Sequence, residues 1–288
     1  LNTQVFDAAK HQAQPLIADA RIGLEELSAN LGSYKAPASW TKSAEDGFKA
    51  WMKEADAVTA ASNTLPSDAQ VIGAVQRALG RDISVLCAAG GLPGELHKLW
   101  QASTPSSYHL EYGFSCMGYE VAGGIGMKLA QPEREVVVMV GDGSYLMLNS
   151  ELATSVMMGV KLTIVLLDNR GFGCITRLQK ATGGARFNNL LADSVHESLP
   201  EIDFAAHARS LGAFAIKVSS LADLETELKK AKGSNRSTVI VIDTDPWIST
   251  EAGGHWWDVA VPEVSSRKEV DAARKKYETA LKQQRIGD

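Results

Sequence analysis

Val136-Val137-Val138-Met139-Val140 runs directly into Gly141-Asp142-Gly143-Ser144-Tyr145-Leu146-Met147-Leu148-Asn149. The chain then passes through a helical stretch, Glu151 to Met158, and returns as Lys161-Leu162-Thr163-Ile164-Val165-Leu166-Leu167 to Asp168-Asn169-Arg170-Gly171. Uninterrupted apolar runs of this length suit strands buried on both faces of a parallel sheet. Two such strands joined by a helical crossover lie in one sheet and point the same way. The pattern predicts an α/β fold, doubly wound, with a mainly parallel sheet and helices on both faces. It also places Asp142 and Asn169 at one rim, the carboxyl ends of neighbouring strands, where open α/β sheets bind ligands.

The chemistry of that rim follows from the residue types. Asp142 offers a carboxylate oxygen, Asn169 an amide oxygen and Gly171 a backbone carbonyl. An all-oxygen set without His or Cys suits a hard cation such as magnesium or calcium, and magnesium leaves part of its shell to substrate phosphates and water. Gly143 and Ser144 stand where backbone can approach a phosphate at the start of the next helix. Asp-Gly alone reads as a hairpin turn and Asp-Asn alone as a loop. Each follows a buried strand, one crossover apart, and together they indicate a metal-bridged diphosphate site.

Gly-Asp-Gly followed at an interval by an Asn-containing pair resembles the cofactor signature of thiamine-diphosphate enzymes of the acetolactate synthase and pyruvate decarboxylase type. The usual pair is Asn-Asn; here Asp168 takes the first place, and Asn169 and Gly171 keep theirs. The resemblance implies thiamine diphosphate and Mg2+ as cofactors, with Asp142, Asn169 and the Gly171 carbonyl on the metal and Gly143 and Ser144 on the diphosphate. It makes Gly90, Gly91 and Leu92, in Ala88-Ala-Gly-Gly-Leu-Pro-Gly94, candidates for the far end of the diphosphate. Without it that loop reads equally well as a structural turn. It gives Met117 the role of the bulky residue that bends the thiamine, where the residue alone would read as a core methionine. Gly118 and Phe172 complete the implied cofactor contacts.

The segments Ala88–Gly94 and Tyr108–Gly126, with His109-Leu-Glu-Tyr-Gly113 and Cys116-Met-Gly-Tyr-Glu120, are similar to a hydrolytic branch of the family that opens a cyclic diketone by cleaving a carbon–carbon bond. A carboligase or decarboxylase of the same family is the second reading, and a binding domain that kept the fold without the chemistry the third. His109 ends a strand facing the crevice, so His109 or Glu111 is expected to meet substrate hydroxyls. The other five histidines lack metal spacing and read as structural. The glutamate that activates the cofactor belongs, by the resemblance, to an N-terminal pyrimidine-binding domain, usually of a second subunit. The chain alone is therefore expected to be inactive.

Outward from the site, residues 1–35 read as the end of a preceding middle domain: strands at Leu1–Phe6 and Pro15–Ala18, then a helix capped by Asp19 and stopped by Gly32. Residues 36–66 form a linker and a helix from Trp40 to Ala61, whose Trp40, Phe48 and Trp51 face suggests packing. Residues 67–262 are the diphosphate- and metal-binding domain. They include a helix Ala69–Leu79, a strand Ile83–Cys87, a Gly-rich helix from near Ser115, and a Gly-rich flap from Phe172 to Pro200. A helix capped by Asp203, strands Ala213–Val218 and Thr238–Asp243, a helix Ser220–Lys232 and an irregular Trp-rich segment complete it. Residues 263–288 form a charged closing helix.

The chain has 288 residues, 45% hydrophobic and 22% charged, with a net charge of −5. That balance offers no basic surplus for nucleic acid. No apolar run reaches membrane-spanning length and no signal-peptide pattern opens the sequence. Cys87, Cys116 and Cys174 suit reduced thiols. A cytoplasmic homo-oligomer is expected.

Overall fold

The computed structural model describes residues 8, 13–62, 64–254 and 258–284, and the chain divides into two compact units, residues 1–52 with 257–288 and residues 53–256. In the first unit, α1 (Ala20–Leu31) begins where the Asp19 carboxylate accepts the N–H groups of Arg21 at 3.0 Å and Ile22 at 3.3 Å, and Gly32 ends it. The expected strand at Pro15–Ala18 is irregular instead. Four residues that find no ladder to join have no reason to stay extended. The strand expected at Leu1–Phe6 lies outside the described residues. Next comes α2 (Ala38–Val58), on which Trp40 and Phe48 are exposed, Trp51 is half-buried and Ala55 is buried.

The second unit carries the sheet. Ser67 and Gln70 cap each other's backbone at the start of α3 (Asp68–Leu79), a reciprocal arrangement that satisfies two free N–H groups. Then follow β1 (Ser84–Cys87), α4 (Leu92–Leu99), β2 (Tyr108–Leu110), α5 (Tyr119–Ala130) and β3 (Val136–Gly141). After them come α6 (Asp142–Met147), α7 (Glu151–Met157), β4 (Thr163–Asp168), α8 (Gly173–Ala181), α9 (Phe204–Ser210), β5 (Phe214–Val218), α10 (Leu221–Lys232) and β6 (Thr238–Asp243). In the first unit, α11 (Lys268–Leu281) is the charged helix expected there.

All six strands are parallel, in the order β2-β1-β3-β4-β6-β5. Every residue of β1 and β4 is buried, as are the first five of β3 and of β6, which is why these runs show no polar alternation. Alternate side chains serve two cores. Val138, Val140, Ile164, Leu166 and Val241 pack with Val121, Tyr145, Leu152 and Phe204 from α5, α6, α7 and α9. On the other face, α3, α4 and α10 contribute buried Ile72, Leu96 and Leu224. Burying one such side chain is worth roughly 1.5–3 kcal/mol. Gly124 of α5 allows its helix to lie close to the sheet, since a Cβ there would come within 2.5 Å of Val138 Cγ2.

Chain direction reverses between β1 and β3. From β1 the chain moves outward to β2, and from β3 it builds the other half, so a crevice opens at the carboxyl ends of these two strands. Three local departures surround it. The Gly-rich helix starts at Tyr119, four residues later than the sequence suggests, because residues 111–116 are held as a loop. A short helix, α6, follows Gly141 directly. The segment expected to form a flap after Phe172 contains α8 and a bridge between Gly171 and Leu190.

Candidate metal and cofactor site

Gly141 pairs in register with Leu167, so Asp142 and the Asp168–Gly171 loop leave adjacent strands side by side. The Gly171 N–H donates to Asp142 Oδ2 at 2.9 Å. Asp142 is 6% exposed and its Oδ1 has no hydrogen-bond partner; Asn169 Oδ1 is likewise buried without one. Buried acceptors are almost always satisfied, so two orphans at one rim call for an unseen partner. Burial, and after it the neighbouring Asp168 carboxylate, push the Asp142 carboxyl up to about 7, although N–H groups of Gly143, Gly171 and Asn169 oppose the shift. A bound divalent cation would supply the missing partner and favour the ionised form. These residues therefore fit a hard metal ion. Among the described residues no three His, Cys, Asp or Glu side chains gather where they could hold a metal ion.

The loop beyond β4 is shaped for close approach. Arg170 is left-handed at φ 62, steadied by its N–H bond to Asp168 Oδ1 at 3.1 Å. Gly171 has φ 142, and a Cβ there would lie 2.5 Å from the Asn189 carbonyl oxygen. The Phe172 N–H donates to that same oxygen at 2.7 Å. The Phe172 ring covers Gly143, whose Cβ would stand 2.8 Å from the ring. Beside Asp142 and Gly171 opens a cavity of about 150 Å³, bounded by Leu146, Phe172, Leu190 and Phe204.

The other expected residues divide into two groups. Gly90, Gly91 and Leu92 follow β1, with Gly91 and Leu92 starting α4, and Met117 and Gly118 precede α5. Gly118 is joined to the Asp142 side of the crevice, its N–H donating to Ser144 Oγ at 2.9 Å. His109 and Glu111 are engaged locally. His109 Nε2 lies 2.9 Å from the Tyr119 hydroxyl, and the two rings stack. Glu111 accepts the N–H groups of Cys116 at 2.7 Å and Phe114 at 3.0 Å, and these bonds hold its carboxyl below the ordinary range. Its role in the structure is to fasten the loop.

One residue at the crevice escaped the sequence reading. Glu120, in the first turn of α5, is 1% exposed and accepts from Ser144, Gly118 and Ala89. The available signal was a carboxylate two residues beyond Met117-Gly118, at a helix start that otherwise holds small and apolar residues. Charged residues in a first turn usually face water, so that signal alone does not announce burial.

The family model described as thiamine pyrophosphate enzyme, C-terminal TPP binding domain, matches residues 88–242. The chain is 36% identical to a protein of Geobacillus thermodenitrificans and 37% identical to one of Bacillus anthracis, each named 3D-(3,5/4)-trihydroxycyclohexane-1,2-dione hydrolase. The alignments cover 98% and 99% of this chain but 48% and 49% of those proteins, so it spans about half the length of these curated relatives. Among solved structures it is similar to the thiamine diphosphate-dependent 4-hydroxybenzoylformate decarboxylase of Rhodococcus jostii, with a TM-score of 0.57, 21% identity, and coverage of 65% of this chain and 34% of that one. Benzoylformate decarboxylase from Polynucleobacter necessarius gives the same TM-score of 0.57 and the same coverage, 65% and 34%, at 18% identity. At such identities the likeness shows the fold.

Proposed function

This chain belongs to the thiamine pyrophosphate enzymes, of which it carries the C-terminal cofactor-binding domain, and from that premise we propose that it is the cofactor-binding part of a thiamine-diphosphate-dependent hydrolase. The substrate proposed is trihydroxycyclohexane-1,2-dione, opened by carbon–carbon cleavage to 5-deoxyglucuronate in myo-inositol catabolism. The names of the relatives support the substrate. The observation that carries the cofactor is the pair of buried, unpartnered oxygens on Asp142 and Asn169.

Asp142, Asn169 and the Gly171 carbonyl would hold Mg2+. The backbone of Gly143 and Ser144, with Gly90, Gly91 and Leu92 across the crevice, would hold the diphosphate, Met117 and Gly118 would support the thiazolium, and Phe172 would close the metal side. Thiamine diphosphate supplies, when bound, a carbanion and an electron sink for cleaving a bond next to a carbonyl. The chain's part is to orient that group and keep water off it. His109, tied to Tyr119 through one ring nitrogen, would present its other nitrogen to a substrate hydroxyl. The activating glutamate would come from a pyrimidine-binding domain outside these residues, on a second subunit.

The test is a substrate panel on the intact protein with Mg2+ and thiamine diphosphate. Ring opening of the cyclic dione with uptake of one water is expected. Turnover of 2-keto acids in its place would assign a decarboxylase or carboligase instead. His109→Ala turning over at the wild-type rate would remove the histidine from the substrate site.

A further inference from the structure

We propose that Glu120 is a positioning residue for the cofactor: its buried carboxylate ties together the backbone segments on both sides of the crevice. The inference rests on the reading of those segments as the cofactor cradle.

Glu120 Oε1 accepts the Ser144 hydroxyl at 2.7 Å and the Ala89 N–H at 3.3 Å. Its Oε2 accepts the Gly118 N–H at 3.1 Å and lies 2.8 Å from Ser144 Oγ, which itself receives the Gly118 N–H at 2.9 Å. These partners come from three places in the sequence: the loop after β1, the residues before α5, and the first turn of α6. Each adjoins a position expected to touch the cofactor, namely Gly90, Met117 with Gly118, and Gly143 with Ser144. Among the described residues no other side chain hydrogen-bonds to all three segments.

The arrangement is costly unless complete. A carboxylate that is 1% exposed survives only when its oxygens are satisfied, and here N–H and O–H dipoles do that. Removing it would leave the Ser144 hydroxyl and the Ala89 amide without their buried acceptor. The three segments belong to different connections of the sheet; the Gly118 N–H bond to Ser144 Oγ links two of them, and the Glu120 carboxylate ties in the Ala89 amide from the third, helping to hold the spacing that cofactor geometry demands. The carboxylate thus acts as a shared hub, preorganising the cradle before the ligand arrives.

Glu120→Gln keeps the volume and one acceptor oxygen but turns an amide NH2 toward groups that donate. Calorimetry of thiamine diphosphate on the intact protein with Mg2+ is expected to show affinity weakened about 10- to 30-fold. Apo-protein melting should fall by only a few degrees, and amide exchange at Ala89 and Gly118 should speed up. Ser144→Ala cuts the same link from the other end, is expected to weaken binding about 3- to 5-fold, and carries the test if Glu120→Gln does not fold. The double variant should lose less than the product of the single effects, because the two share one interaction. Wild-type affinity in Glu120→Gln, or fully multiplicative effects, would overturn the hub. Asp142→Ala is the control: if it too binds normally, the cofactor-site reading itself is wrong, a result distinct from failure of the hub alone.

Discussion

Two groups of buried polar residues, at opposite ends of β3 and β4, are satisfied in different ways. At the amino ends of β3 and β4, Lys161 donates to both oxygens of Glu135 at 2.6 Å, and Thr163 adds a bond to Oε1 at 2.7 Å. Nearby, Ser237 bonds to Ser155 at 2.8 Å, donates to the Val160 carbonyl and accepts the Leu162 N–H. At the carboxyl ends of the same strands, Asp142 and Asn169 each keep a buried oxygen open. The strands are equally apolar along their lengths, so the contrast comes from their terminal residues. A closed network contributes stability to the chain, whereas an open one spends stability to hold a ligand.

Asp142→Ala would break the open end most sharply. Losing the carboxylate should weaken Mg2+-dependent binding of thiamine diphosphate by about 1,000-fold or more, equivalent to roughly 4 kcal/mol. The apo protein should melt no lower than wild type, because the loss of the Gly171 N–H bond is offset by the removal of a carboxyl that burial pushes up to about 7. A variant that binds normally, or an apo protein that melts far lower, would place Asp142 among the closed, structural groups.

Glu135→Ala tests the other end. It strands Lys161, whose side chain is 12% exposed like that of its partner, and a half-removed buried pair costs about 3 kcal/mol. Denaturant unfolding should show that loss while cofactor affinity at low temperature stays unchanged. Equal damage to both would mean the ends of the sheet are coupled after all. Gly171→Ala ranks next, since the added Cβ meets the Asn189 carbonyl at a φ that side chains rarely adopt. It is expected to cost about 2 kcal/mol and to be felt in metal binding first, as the loop moves its own carbonyl.

These two ends were not equally legible in the sequence. The strands announced themselves as unbroken apolar runs, and Asp142 and Asn169 could be placed because each follows one directly. Glu120 could not, because burial of a first-turn carboxylate is decided by what α6 and the β1 loop bring to it. The missed helices have a similar cause: α6 is six residues long and starts Asp-Gly-Ser, all weak helix formers. The glycines around α8 suggested a flap; what they did not reveal is that the Phe172 N–H bonds to Asn189 and the Leu191 N–H to Arg170, bringing the two ends of that segment together. At Pro15–Ala18 the error ran the other way, with local apolarity taken for a strand that no neighbour supports.

The smallest expected effect belongs to a group between the two extremes. Asp68, buried at the start of α3, has its carboxyl pushed up to about 6 by burial, helped by Glu95 and Asp245 and opposed chiefly by Arg177. A folded-state pKa above the unfolded value means the native protein favours the protonated acid. The stability this contributes is complete below about pH 4 and is lost as pH rises to about 6, above which the penalty is constant. Asp68→Asn abolishes the titration but leaves Arg177 short of one counter-charge, so the net gain near neutral pH should be only on the order of 1 kcal/mol. Melting curves between pH 4 and 8 should diverge from wild type up to about pH 6, the variant becoming relatively more stable, and run parallel beyond it. Curves parallel throughout would show Asp68 to be fully compensated by Arg177, as closed a group as Glu135 is.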